Sequence, residues 1–187
     1  IEKAVKQQNK GLLPVAVVFK EHPQMYLNGS APPLIFSGEV KERAFKNAGI
    51  SLYELDFGSI KNLSPEEFFE TVLISELNAG FISCGYNYRF GKGGTGDTAL
   101  LKALCEAKGV ELFIAPRIEY GGEAISSTRI RKAILDGDIE AANIMLGRFF
   151  SYCEKVVDGD RIGRKLGTPT INQYFPENHI IPKYGVY

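Results

Sequence analysis

The 187-residue sequence has no tryptophan, two histidines, two methionines and three cysteines, Cys84, Cys105 and Cys153, set far apart. An odd and dispersed set of thiols argues against a disulfide framework and against a cysteine-rich zinc site, and it suits a reducing, cytoplasmic home. Excess charge of one sign is also lacking, since 22 basic residues balance 22 acidic ones. No global field draws the chain to nucleic acid or to an anionic membrane, so any anion site must be local. No apolar run approaches the length of a membrane span, and the opening "IEKAVKQQNKG" is neither a secretory signal nor an initiator sequence. It reads as the back half of a helix ending at Gly11, so the chain is expected to begin partway through a domain.

What is present is a composition 44% hydrophobic and 24% charged, ample for a globular core. "LLPVAVVF", "ISLYELDF" and "VELFIA" are short continuous apolar runs that suit strands buried on both faces. Helical patterns fall between them. "GEVKERAFKNAG" puts Val40, Ala44, Phe45 and Ala48 on one face and stops at Gly49. In "SPEEFFETVLISEL", Ser64 and Glu67 form a capping box, Pro65 suits the first turn, and Phe68, Val72 and Leu73 face inward. Asp97 caps "TALLKALCEAKG". Strand and helix alternating from residue 11 to about 115 predict an α/β fold with a doubly wound, Rossmann-like parallel sheet. After a hairpin in "IAPRIEYGGEAI" come two short helices ending at Gly147. From Phe149 the texture is strand-like, broken by Gly and Pro. A boundary near Gly147 is expected, giving domains 1–147 and 148–187. The second, of about 40 residues, is too short for a core of its own, so its remainder is expected to lie outside these residues.

Three segments carry candidate chemistry. "GYNYRFGKGGTGD", Gly85 to Asp97, holds five glycines and two cations after the apolar run "FISC". At the carboxyl end of a parallel strand, Arg89, Lys92, the loop amides and the start of the Asp97 helix could meet a phosphate. A surface hairpin whose glycines serve turns explains the same residues. "ISSTRIR" places Ser126, Ser127 and Thr128 at a helix start and brings Arg129 and Arg131 to the positive end of its dipole, a conflict that an anionic ligand would remove. A Ser/Thr cap with solvated arginines is the alternative. "GDRIGRKLGTPTIN" offers three glycines, three basic residues, and Thr170 and Asn172 two apart. In a strand those two side chains share a face and suit a magnesium ion carried by nucleotide phosphates; a Gly/Pro-rich turn entering a strand also fits. His22 follows the first strand, where a site role is open to it, whereas His179 reads as a loop residue.

Taken in order, "LSPEEFFETVL", "GYNYRFGKGGTGD", "ISSTRIR", "GRKLGTPTIN" and "GVY" resemble the prokaryotic bifunctional riboflavin kinase/FAD synthetase family over essentially the whole chain. The resemblance implies an FMN adenylyltransferase domain of Rossmann-like nucleotidyltransferase type, followed by a β-barrel riboflavin kinase. It further implies that His22, Asn87, Arg89, Ser127, Thr128 and Arg131 bind ATP or FMN. Gly163, Arg164, Gly167, Thr170 and Asn172 would take the ATP of the kinase reaction, and Thr170 and Asn172 its Mg2+. Riboflavin, FMN, FAD and ATP are then substrates or products, with no nucleic-acid or membrane partner and no catalytic residue assigned. The alternatives are a nucleotidyltransferase with another acceptor and a non-catalytic flavin- or nucleotide-binding protein.

The chain departs from the family in particulars. Its opening strand and "HxGH" signature have no counterpart in these 187 residues, and the acidic base expected of the kinase half would come after Tyr187. Lys20 stands where the family has an acidic residue. Thr168 and Ile171 replace a phenylalanine and an alanine.

Overall fold

The computed structural model describes residues 1–159, 163, 167–175 and 177–186. Its elements in chain order are α1 (Glu2–Val5) running into a 3-10 turn (Lys6–Lys10), β1 (Val15–Phe19), α2 (Pro23–Asn28), α3 (Gly38–Asn47), β2 (Ser51–Leu55), α4 (Phe57–Ile60) and α5 (Pro65–Phe68). A π-helical segment (Phe69–Glu76), β3 (Phe81–Gly85), a 3-10 turn (Lys92–Gly94), α6 (Thr98–Lys108) and β4 (Glu111–Ala115) follow. The hairpin β5 (Glu119–Tyr120) and β6 (Glu123–Ala124), helices α7 (Ser127–Asp136) and α8 (Ile139–Leu146), and the short strands β7 (Val156–Val157) and β8 (Asn172–Gln173) complete it.

By compactness these residues form two units, 1–31 with 44–118, and 32–43 with 119–187. The first is mixed α/β. β1 pairs parallel with β2, Val15 opposite Ser51, and β3 pairs parallel with β4, Phe81 opposite Glu111. These are two separate sheets, so the single doubly wound sheet expected from the sequence is not formed among the described residues. β1 accordingly departs from its apolar sequence: Val15, Val17 and Phe19 stay 41%, 40% and 39% exposed because one long edge has no neighbour. The core gathers Leu55, Phe68, Phe69, Val72, Leu73, Phe90, Leu101 and Cys105. Ser64 and Glu67 make the expected capping box at α5. Beyond it the helix widens, with the Leu77 N–H reaching back five residues to the Val72 carbonyl. The buried pairs Phe68/Phe69 and Val72/Leu73 fit that wider repeat as well as an α-helical one.

In the second unit Ile130, Ala133, Ile134, Ala142, Met145 and Ile180 pack together. Ile180 lies in the segment after residue 148, and this unit takes in residues on both sides of Gly147. The Leu34 N–H donates to the Asn178 carbonyl and the Ile180 N–H to the Leu34 carbonyl. That bridging buries His179 within its loop segment and leaves both its ring nitrogens without a partner among the described residues. β7 and β8 form a two-stranded antiparallel ribbon, and no closed barrel exists among the described residues.

Candidate functional site

The glycine loop leaves the carboxyl end of β3. Tyr86 and Asn87 make an exposed turn, closed by the Tyr88 N–H on the Gly85 carbonyl at 3.1 Å. Phe90 and Gly96 then exchange backbone hydrogen bonds of 3.1 and 2.9 Å, and the Lys92 N–H donates to the Leu63 carbonyl at 2.7 Å. The glycines do two different things. A Cβ on Gly91 would stand 2.5 Å from the Pro65 nitrogen, and one on Gly96 would stand 2.8 Å from the Phe90 ring, so packing demands both. Gly93 and Gly94 instead have φ near 65°, with open space at Gly93. Phe90 and Gly96 thus close a packed hairpin, and Asn87 and Arg89 stand exposed on the loop.

Arg89 lies 3.9 Å from Asp97, whose Oδ1 accepts the Ala99 and Leu100 N–H groups at 3.0 and 2.9 Å. The Leu100 N–H, chief among several donors, holds the Asp97 carboxyl below its ordinary value. The positive end of α6 thus already carries an anion, the Asp97 carboxylate. Behind the loop, Tyr88 stacks on Phe90 with ring centroids 5.6 Å apart, and burial pushes its hydroxyl up to about 12. His22 is elsewhere. It caps α2, its Nδ1 accepting the Gln24 N–H at 3.2 Å, beside the Tyr26 hydroxyl bonded to Asp56 at 3.1 Å.

At α7 the cap is neutral. The Ser126 hydroxyl accepts the Arg129 N–H at 3.3 Å, and Ser127 and Thr128 remain exposed in the first turn. Arg129 does not point to a ligand. Its guanidinium donates to the carbonyls of Glu123, Ala124 and Tyr120 at 2.7, 3.0 and 3.0 Å and pairs with the Glu123 carboxylate at 3.2 Å. The hairpin resolves the conflict of this cation with the helix dipole, so no ligand is needed for it. Arg131 sits differently: Nε donates to the Pro33 carbonyl at 2.7 Å, and burial lowers its pKa. One hydrogen bond uses one of its five donors, and among the described residues its terminal nitrogens have no other partner. Ser127, Thr128 and Arg131 therefore share one helix start that keeps donors for an anion. The sequence marked Ser126, the structural cap, equally with its neighbours; only its place before the helix distinguishes it.

In the last segment Asn172 belongs to β8, but Thr170 precedes the strand, so the expected two-residue strand spacing is not realised. Both are exposed. Gly163 makes room beside Thr170, since a Cβ there would approach Thr170 Oγ1 to 3.4 Å, and Gly159 does the same for the Asn172 amide. Gly167 is a left-handed turn with φ 78°. Arg164 lies outside the described residues. Among those residues no cluster of three His, Cys, Asp or Glu side chains could hold a metal.

Compared with known families, residues 1–129 match the model for FAD synthetase. The chain belongs to the FAD synthetase family. Residues 146–187 match the riboflavin kinase model. The chain is similar to the bifunctional riboflavin kinase/FMN adenylyltransferase of Listeria monocytogenes, 31% identical over 95% of this chain and 57% of that protein. It is 34% identical to the enzyme of the same name from Buchnera aphidicola, over 96% of this chain and 59% of the relative. The chain therefore spans rather under two thirds of the length of these curated relatives. A crystal structure described as a macrolide-efflux protein from Streptococcus pneumoniae superposes with a TM-score of 0.84 at 36% identity, covering all of this chain and 62% of that one. Among the described residues no helix is long and apolar enough to cross a membrane.

Proposed function

We propose that the natural polypeptide containing these residues makes flavin cofactors in the cytoplasm, acting on small molecules and neither on nucleic acid nor on membrane. The terminal hydroxyl of riboflavin attacks the γ-phosphate of ATP, giving FMN and ADP. The FMN phosphate then attacks the α-phosphate of a second ATP, giving FAD and pyrophosphate. The observation that carries this reading is the succession in one chain of the FAD synthetase and riboflavin kinase models.

In the adenylyl transfer, Ser127, Thr128 and Arg131 bind ATP phosphates at the neutral-capped start of α7, while Asn87 and Arg89 contact nucleotide and flavin from the glycine loop. His22 also contacts ATP or FMN, with its Nδ1 acting as a cap. A helix start with open hydroxyls and a desolvated guanidinium stabilises phosphate charge by position, without a covalent intermediate. In the kinase half, Gly163 and Gly167 shape the turn over the phosphates, and Arg164 binds the same ATP. Thr170 and Asn172, both exposed, supply hard oxygen donors suited to a nucleotide-borne Mg2+. Bound with ATP, that ion would neutralise charge on the β- and γ-phosphates. The direct test incubates the natural polypeptide with riboflavin, ATP and Mg2+ and follows flavins by chromatography. FMN and then FAD are expected; unchanged riboflavin together with unchanged supplied FMN overturns the reading.

A further inference from the structure

Among the described residues Arg131 is held by one hydrogen bond, from Nε to the Pro33 carbonyl at 2.7 Å. A guanidinium on a long stem has much rotamer freedom to lose, so it stays aimed only if its acceptor is itself fixed. Pro33 is poorly equipped for that. Pro32 and Pro33 have no N–H, and the next amide that can tie the stretch down is that of Leu34. Pro33 and Leu34 are both exposed, so burial of their side chains anchors the stretch little. The anchor is main-chain. The Leu34 N–H donates to the Asn178 carbonyl at 2.7 Å, and the Leu34 carbonyl accepts the Ile180 N–H at 2.9 Å.

The same segment grips the helix that bears Arg131. Ile180, fully buried, packs in one cluster with Ile130 and Ile134 of α7, and the Lys183 N–H donates to the Ile134 carbonyl at 3.3 Å. Ile134 follows Arg131 by three residues, so the two are neighbours on the helix surface. Tyr152 adds its hydroxyl to the Ile180 carbonyl. Residues 178–183 therefore hold both sides of one contact, the carbonyl that Arg131 meets and the helix from which Arg131 projects. They belong to the part of the chain that matches the riboflavin kinase model, whereas Pro33 and Leu34 belong to the part that matches FAD synthetase.

We propose that residues 178–183, bonded through Leu34, form a positioning strap for Arg131: the strap fixes the Pro33 carbonyl and so aims the guanidinium at the ATP phosphates of adenylyl transfer. FAD formation then depends on a segment of the kinase half. Arg131 gives Nε to its carbonyl and keeps its other donors for an anion, so the strap supplies aim and not charge. The choice of ATP as the ligand rests on the flavin reading; the link from strap to guanidinium rests on the hydrogen bonds alone.

The test has two arms. In the 187-residue chain, nuclear magnetic resonance reads the exchange of the Arg131 Nε–H with water. Leu34→Pro deletes the N–H given to Asn178 in a stretch already rich in proline, and it should speed that exchange about tenfold. Tyr152→Phe, a milder change that spares the ring packing, should speed it about twofold and keeps the comparison if the first variant fails to fold. Unchanged exchange overturns the proposal. In the natural polypeptide, KM for ATP and kcat of FMN adenylylation are measured for Leu34→Pro, Arg131→Ala and the double variant. Leu34→Pro should raise KM for ATP roughly five- to tenfold, with melting temperature and riboflavin phosphorylation near the parent's. Once Arg131 is alanine, the same change should cost less than about twofold. Losses that multiply overturn the proposal, because the strap then acts by another route, and so does full ATP use in Leu34→Pro. A parent that turns no FMN into FAD sinks the flavin reading instead, and the Nε–H exchange then decides the strap by itself.

Discussion

The starts of α6 and α7 look alike in sequence, each following a turn-rich segment with a hydroxyl or carboxyl cap and an arginine within reach, yet their electrostatics are opposite. α6 is capped by the Asp97 carboxylate, which also faces Arg89 at 3.9 Å. α7 is capped by a neutral hydroxyl, its Arg129 is tied to three carbonyls, and Arg131 keeps donors to spare. A helix start attracts anions only if nothing in the chain has neutralised it first, and the side chain of one residue, Asp or Ser, decides that.

The contrast can be broken most forcefully through the packing that leads into α6. Gly91→Ala places a Cβ against the Pro65 backbone at a φ of 72°, and it should cost on the order of 3 kcal/mol in chemical denaturation. Gly93→Ala, strained but unobstructed, should cost about 1 kcal/mol. Equal losses would mean that the loop is not held by Pro65. Next in size, Arg131→Ala in the natural polypeptide should lower ATP use in FAD formation roughly ten- to hundredfold while leaving riboflavin phosphorylation near its parent rate. Arg89→Ala, which removes a nucleotide contact whose charge is already shared with Asp97, should lower it only about threefold. If the two arginines matter equally, the distinction between the helix starts fails. Conversely, Asn172→Ala should abolish most riboflavin phosphorylation and spare the conversion of supplied FMN; a parallel fall in both would undo the assignment to separate sites.

The smallest effect is in acid. Asp97 has its folded pKa below the unfolded carboxyl value of about 3.9, so its stabilisation is complete above that value and fades as pH falls through the lower one. Asp97→Asn should flatten the fall of the melting temperature below pH 4. Ser126→Ala should lower stability by about 1 kcal/mol at every pH, because a hydroxyl cap does not titrate.

Local chemistry was legible and distant chemistry was not. Ser64 with Glu67, Asp97 before Thr98, and Gly147 after α8 announced their helix ends, because capping is settled within four residues. The widening after α5 was hidden, since Phe68, Phe69, Val72 and Leu73 satisfy both repeats. Arg131 finds its carbonyl at Pro33, 98 residues away, and Arg129 finds its own across a hairpin, so sequence could mark both cations without telling which was spent. β1 is apolar enough to be buried twice over, and only its open edge explains its exposure. Thr170 and Asn172 carried a strand spacing that β8 begins too late to impose.

The want of tryptophan gives the buried tyrosines an optical use. Burial pushes the hydroxyls of Tyr88, stacked on Phe90, and of Tyr152, which donates to the Ile180 carbonyl, up to about 12, whereas an unfolded tyrosine gives up its proton near 10. Between those values the native fold holds protons that the unfolded chain releases, so alkali weakens it, and tyrosinate absorbance records the loss. One such ring lies in each compact unit. Near-ultraviolet light can therefore follow the chain unfolding in alkali, without any label.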